Sequence, residues 1–213
     1  MLFPILLLTL SLQQGTDSVV ARANETIKTL ADTTAVKRNG FRVLQFGQTR
    51  DLGPFQGQHW VDPIRVALTT KVDLTKPTFV MFLPLGDSLK PIGLAYSNMV
   101  GLGAALPSGL AGTPAEWHAH QFCRNVPGEG QVLADGTDDC ADRGGTPVLG
   151  QIAMVHAWTV PNPDGPYAHD NPWLPFMATG LKNPPNPGGE ERDRKSTRLN
   201  SSHTDISRMP SSA

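Results

Sequence analysis

Two histidines separated by one residue lie in the segment 117–123, whose sequence is WHAHQFC. Alternate side chains of an extended strand point to the same face. A strand here would therefore place the imidazoles of His118 and His120 side by side. Imidazole suits zinc, copper, iron and nickel, and suits calcium or magnesium poorly. The spacing therefore predicts a transition-metal site, for which we favour zinc or copper.

Two further histidines lie in similar apolar segments that each contain a tryptophan. His59 precedes one tryptophan, and His156 lies two residues before another. If a strand over 151–159 is the neighbour of the strand over 117–123, His156 completes a set of three imidazoles on one face. His59 would then be a fourth ligand or lie close to the site.

Other residues could support such a site without being its main ligands. Tryptophans beside the histidines would limit the access of water and hold the rings in place. His169 lies in a loop rich in proline, glycine and asparagine, and can reach the site from above. The predicted supporting residues are Trp60, Trp117, Trp158 and His169. Three ligands with an open position are typical of a catalytic site, and four ligands of a structural one.

The chain has two cysteines, Cys123 and Cys140. In an exported protein such a pair is typical of a disulfide. The bond would close the intervening loop and stabilise the fold by about 3 kcal/mol in the chain-entropy treatment. The alternative is a Cys123 thiolate that serves as a metal ligand or nucleophile beside His120.

The N-terminal segment resembles a secretory signal. A short apolar run over 2–12 is followed by polar residues, and Ala21 and Ala23 place small side chains where a signal peptidase cleaves. We therefore predict a signal peptide over 1–23, and a secreted or periplasmic protein.

The C-terminal segment 193–213 resembles the conceptual translation of sequencing-adapter read-through, and we expect it to be disordered. The predicted organisation is then a single globular domain over 24–192. Its natural end beyond Arg192 stays open.

The body of the chain predicts an α+β fold. A helix is predicted over 24–38, because Asn24 can cap it and apolar residues recur at helical spacing. Segments rich in β-branched and aromatic residues alternate with turns. The main predicted strands are 78–83, 91–96, 117–123 and 151–159, and the first two are predicted to form a hairpin across a turn at 84–87. The predicted fold is a mainly antiparallel sheet with one N-terminal helix and long Pro/Gly-rich loops, the longest over 160–189.

The numbers of basic and acidic residues bear on whether the protein binds nucleic acid. The chain has 18 basic and 19 acidic residues, a formal net charge of −1. It shows no basic patch of the kind that nucleic-acid binding requires. We therefore expect no nucleic-acid partner, and no stable membrane anchor once the signal is cleaved. The oligomeric state stays open.

Short blocks of sequence run in a fixed order through the body. They are GQHWVDP at 57–63, PTFVMF at 77–82, PIGLAY at 91–96, WHAHQFC at 117–123, HAW at 156–158, NPDG at 162–165 and NP at 171–172. In this order they resemble a group of exported bacterial proteins with no established activity. The resemblance implies export and the grouping of the histidines, and implies no particular reaction.

A second resemblance concerns the paired histidines. Gly112, five further residues, and then His118 and His120 are similar to the first half of the first cupin motif. The glutamate that this motif carries next is absent, and Arg124 stands in its region. The surroundings of His169 are similar to the second cupin motif, one residue out of register. This resemblance implies a metal-dependent oxygenase.

Three functions stay open on the sequence. The first is an exported protein that binds a transition metal through the histidines. The second is a metal-dependent enzyme, a hydrolase or cupin-like oxygenase with a small-molecule substrate, whose catalytic residues the sequence does not identify. The third is a structural exported domain, since buried histidines often serve only as hydrogen-bonded core residues.

Overall fold

The computed structural model of this chain describes residues 18–46, 49–50, 55–128, 130–135 and 139–181. The strands are β1 (Arg42–Val43), β2 (Gln45–Phe46), β3 (Thr49–Arg50), β4 (Gln58–Val61), β5 (Phe79–Leu85), β6 (Ser88–Val100), β7 (Gly109–Leu110), β8 (Thr113–Pro114), β9 (His118–Val126), β10 (Gly130–Asp135) and β11 (Thr146–Trp158). The helices are α1 (18–29), α2 (Thr33–Arg38), α3 (Pro63–Leu68), α4 (Asp139–Asp142) and α5 (Leu174–Ala178).

The centre of the fold is a seven-stranded sheet with the order β1-β4-β5-β6-β11-β9-β10. Every neighbouring pair in it is antiparallel. β5 and β6 form the hairpin predicted from the sequence, with a turn at Gly86, where a φ of 59° favours glycine. The predicted mainly antiparallel sheet is confirmed, and the described residues also contain several short helices that were not predicted.

The two faces of the sheet carry separate apolar clusters, because successive side chains of a strand point to opposite faces. One face packs against α1 and α2 through a cluster that includes Trp60, Val80, Leu94 and Val155. The residues next to these in the chain form two smaller clusters on the other face, around Phe79 and Met154 and around Met81 and Trp158. This second face also carries the histidines.

A single helix over 24–38 is not confirmed. The segment is divided between α1 and α2, and the Asp32 side chain caps α2 by accepting a hydrogen bond from the backbone N–H of Ala35. Val19 and Ala23 of α1 are buried in the core cluster. The predicted signal-peptide boundary after Ala23 therefore falls within a helix whose inward face is packed on both sides of that point. Cleavage there stays a prediction.

The segment after β11, residues 159–173, is irregular and is called the covering loop below. Side-chain donors hold it in place: Trp158 Nε1 donates to the carbonyl of Ala168 at 2.7 Å, and Asn171 Nδ2 donates to the carbonyl of Pro161 at 3.0 Å. The predicted irregular region extended to 189, but its middle forms α5. Residues 182–189 lie outside the described residues, as does the segment 193–213.

The predicted disulfide between Cys123 and Cys140 is confirmed. It joins β9 to α4, with a Cα–Cα distance of 5.3 Å, and both cysteines are buried. Cys123 is therefore not available as the thiolate ligand that the sequence left open. Within the described residues, no helix combines the length and the hydrophobicity that crossing a bilayer requires.

Gly93 gives a test of the packing between the central strands. A Cβ atom there would lie 2.5 Å from Cε of Met81 and 2.9 Å from the carbonyl oxygen of Ala157. We therefore expect Gly93→Ala to lower the free energy of unfolding by about 1–3 kcal/mol, measured by urea denaturation. Gly101→Ala is the matched control, since its Cβ would meet only Cβ of Ala104 at 4.0 Å. Equal losses of unfolding free energy in Gly93→Ala and Gly101→Ala would contradict the close packing around Gly93.

Candidate metal centre

All five histidines among the described residues lie in one group, which we call the histidine cluster. Its members are His59 of β4, His118 and His120 of β9, His156 of β11 and His169 of the covering loop. The ring centroids are 4.8 Å apart for 118–120, 4.8 Å for 118–156, 4.0 Å for 118–169, 5.3 Å for 59–156 and 5.6 Å for 156–169.

The register between β9 and β11 explains how three of these rings meet. His118 lies opposite Met154, and His120 lies opposite Ile152. Residues directly opposite each other in an antiparallel pair point to the same face. His156 is two residues beyond Met154, so it shares that face as well. The two strands are neighbours, which was the condition for the predicted three-imidazole set.

His59 reaches the cluster from a strand that is distant in the sheet order. β5 and β6 separate β4 from β11. In a flat sheet, strands three positions apart would be about 14 Å from each other. The sheet is curled, and this brings Nε2 of His59 to 3.3 Å from Nε2 of His156. The curl of the sheet, rather than strand pairing, therefore brings His59 into the site.

The inner part of the cluster is shielded from water. The exposed fraction is 4% for His59, 8% for His120 and 0% for His156. Burial lowers the pKa of His118 and His156 well below the ordinary histidine value, and the neighbouring histidines lower both pKa values further. These two rings are therefore neutral at neutral pH, and each has a lone pair to offer.

His156 has a defined tautomer. Its Nδ1 lies 2.6 Å from the backbone carbonyl oxygen of His169. A carbonyl oxygen can only accept, so Nδ1 of the neutral ring carries the proton. The lone pair is then on Nε2, the atom that faces His59. Metal-binding histidines usually donate their other ring N–H to a carbonyl or carboxylate in this way.

His118 is the unusual member of the cluster. Both of its ring nitrogens are buried, and neither has a hydrogen-bond partner among the described residues. Leaving a buried polar group unpaired is unfavourable by about 1–3 kcal/mol. The ring is therefore not held by hydrogen bonds, and its nitrogens can turn towards a ligand without breaking one.

His169 lies at the edge of the cluster and is held by its neighbours. Its side chain is 34% exposed. Its backbone N–H donates to Oε2 of Glu116 at 2.7 Å. The Gln56 amide lies 2.9 Å from Nε2 of His169 and 3.0 Å from Oδ1 of Asp170. No local pattern in the sequence indicates Gln56 or Glu116, because each meets His169 across more than 50 residues of chain.

The separations between rings suit a shared metal ion. With metal–nitrogen bonds of about 2.0–2.1 Å, two ligands in tetrahedral geometry have nitrogens about 3.3 Å apart and ring centroids about 5 Å apart. The pair formed by His59 and His156 has both values. The described residues nevertheless contain no group of three or more His, Cys, Asp or Glu side chains already arranged around one ion. The rings lie at suitable distances, and their nitrogens would have to turn to bind.

The predicted supporting residues divide between the two faces of the sheet. The ring of Trp158 packs edge-on against His156, with centroids 5.5 Å apart. Trp60 and Trp117 pack in the cluster on the opposite face, where Trp117 Nε1 donates to the carbonyl of Gly109. Residues adjacent to a histidine in a strand point away from it. The structure therefore does not bring these two tryptophans to the site.

Comparison with known proteins assigns no family to the chain. No protein-family model, no curated protein and no solved structure matches it. The resemblances to exported bacterial proteins and to cupins therefore stay predictions.

The buried histidines predict a pH-dependent stability of the metal-free protein. In the unfolded chain, His118 and His156 bind protons below pH 6.5, whereas their lowered pKa values keep the folded rings neutral. Stability is therefore highest above pH 6.5 and falls as the pH drops. Each ring contributes up to about 1.4 kcal/mol per pH unit. Urea denaturation between pH 7.5 and 5.5 measures the slope.

Variants separate this effect from other titrations. His118→Leu should make the slope shallower, because one of the two groups is gone. Met154→Leu, at the position opposite His118 in the register, removes no titrating group and should leave the slope unchanged. An unchanged slope in His118→Leu would show that this ring is not buried in the neutral form.

Proposed function

We propose that this protein binds a transition-metal ion, zinc or copper, through the histidine cluster. His59, His118 and His156 are the principal ligands. His120 lies beside His118 as a fourth, and His169 covers the site from its loop. The role is metal capture, with no turnover required.

One observation carries the proposal. The ring of His156 is fixed with Nδ1–H on a backbone carbonyl, and its Nε2 lone pair lies 3.3 Å from Nε2 of His59. Two buried nitrogens at this distance match a pair of ligands on one ion. A purely structural pair would need only the hydrogen bond between them, so metal binding itself must be measured.

The state of His118 supports a ligand role over a structural one. A core histidine normally has partners for its ring nitrogens. His118 has none among the described residues, although its ring centroid lies within 5 Å of those of three other imidazoles, His120, His156 and His169. A polar residue that weakens the fold at such a position is typical of a functional site.

The disulfide supports an exported location. Disulfides are rare in cytosolic proteins and common in secreted and periplasmic ones. One of the two cysteines of this disulfide, Cys123, lies in β9, the strand of the paired histidines. We therefore propose that the metal is bound outside the cytoplasm.

Metal stoichiometry tests the proposal. We expect the full chain, purified without a histidine tag and reconstituted with Zn²⁺ or Cu²⁺, to retain about one ion per chain by dialysis and elemental analysis. Loss of a supporting group alone typically weakens metal affinity by 10–100-fold. We therefore expect His118→Leu and His156→Ala to weaken it by at least about 100-fold. His203→Ala is the control, at a histidine of the segment 193–213. Retention well below one ion after reconstitution would refute metal binding.

The stability of the metal-free variants distinguishes a ligand from a core residue. His118→Leu removes two unpaired buried nitrogens, so we expect it to raise the free energy of unfolding by about 1 kcal/mol at pH 7.5. His156→Ala breaks two hydrogen bonds and leaves a cavity, so it should lower that free energy by more than about 2 kcal/mol. A loss of stability in His118→Leu as large as in His156→Ala would point to a structural role for His118.

A further inference from the structure

The histidine cluster contains only neutral ligands. Its members are all imidazoles, and the side chains that lower the pKa values of His118 and His156 are neighbouring histidines. The two carboxylates near the cluster, Glu116 and Asp170, are already engaged with the backbone N–H of His169 and with Gln56. A divalent ion bound only by these imidazoles would therefore receive no negative charge from its ligands.

A buried, uncompensated charge is unfavourable. Taking an ion out of water costs several kcal/mol even after relaxation, unless an opposite charge or further ligands replace the lost hydration. His59, His120 and His156 are each less than a tenth exposed, so bulk water offers little compensation at the inner side of the site. A bound anion would supply the missing negative charge.

His169 provides a donor for such an anion. An amide nitrogen can only donate, so Nε2 of Gln56 donates one N–H to Nε2 of His169 and the other to Oδ1 of Asp170. The proton of the neutral His169 ring is then on Nδ1. This Nδ1 lies 3.8 Å from Oδ1 of Asp170, too far for a hydrogen bond. The partly exposed ring of His169 therefore carries an N–H that is not hydrogen-bonded to Asp170.

We propose that the metal-loaded cluster binds a small monovalent anion, a carboxylate or an inorganic anion of similar size, at the side covered by His169. The anion binds the metal ion and accepts a hydrogen bond from Nδ1 of His169. This inference rests on the proposed metal binding. It means that the histidine cluster would bind a metal ion and an anion together. His169 acts as a positioning residue that selects the anion.

The experiment uses the full chain loaded with Co²⁺, whose visible absorption bands report the ligands of the ion, and azide and acetate as probes. We expect a saturable spectral change with a stoichiometry of one anion per ion. A hydrogen bond to a charged group contributes about 1.5–3 kcal/mol. His169→Phe should therefore weaken azide binding by about 10–100-fold, with His203→Phe as the matched control.

The outcomes separate the two proposals. Cobalt binding without any response to azide or acetate would overturn the anion site and leave the proposed function standing. An absence of cobalt binding would overturn the anion site, and would overturn the proposed function as well if Zn²⁺ and Cu²⁺ are not retained either. Equal azide affinity in His169→Phe and in the unmodified chain would overturn the role of His169. A spectral change that is linear in azide up to high concentration would show non-specific binding and would also count against the site.

Discussion

The arrangement of the site depends on the hydrogen bond from Nδ1 of His156 to the backbone carbonyl of His169. It fixes the tautomer of a fully buried ring and directs the lone pair on Nε2 towards His59. It also fastens the covering loop to β11, and thereby places the His169 ring beside His118. Without this bond, neither the Nε2 pair of His59 and His156 nor the ring of His169 would be held in its present position.

The cluster combines a rigid frame with one weakly held ring. β6 and β11 are central strands with long, regular pairing, and they hold His156 among apolar neighbours. His118 stands in the next strand with no hydrogen bond on its ring. A rigid scaffold limits where a metal ion can bind, while a ring that is free to turn can adapt its nitrogen to the ion. The unfavourable burial of that ring is consistent with function taking precedence over stability.

Local patterns in the sequence predicted those features that depend on near neighbours in the chain. Strand alternation placed His118 and His120 on one face, and the same rule extended along 151–159 placed His156 on a single face with Trp158. The β5–β6 hairpin and the disulfide followed from residue types and turn signals. These predictions succeeded because the period of a strand and the preferences of turn residues act over a few residues.

The tertiary structure alone decided which strands are neighbours and how far the sheet curls. Contact between His59 and His156 spans four strands of the sheet order, and no local pattern encodes it. The same holds for Gln56, which meets His169 across more than 100 residues of chain. The sequence by itself determined the donors and the face on which they lie. The packing of the whole sheet determined that they meet, because convergence is set by long-range contacts that periodicity cannot specify.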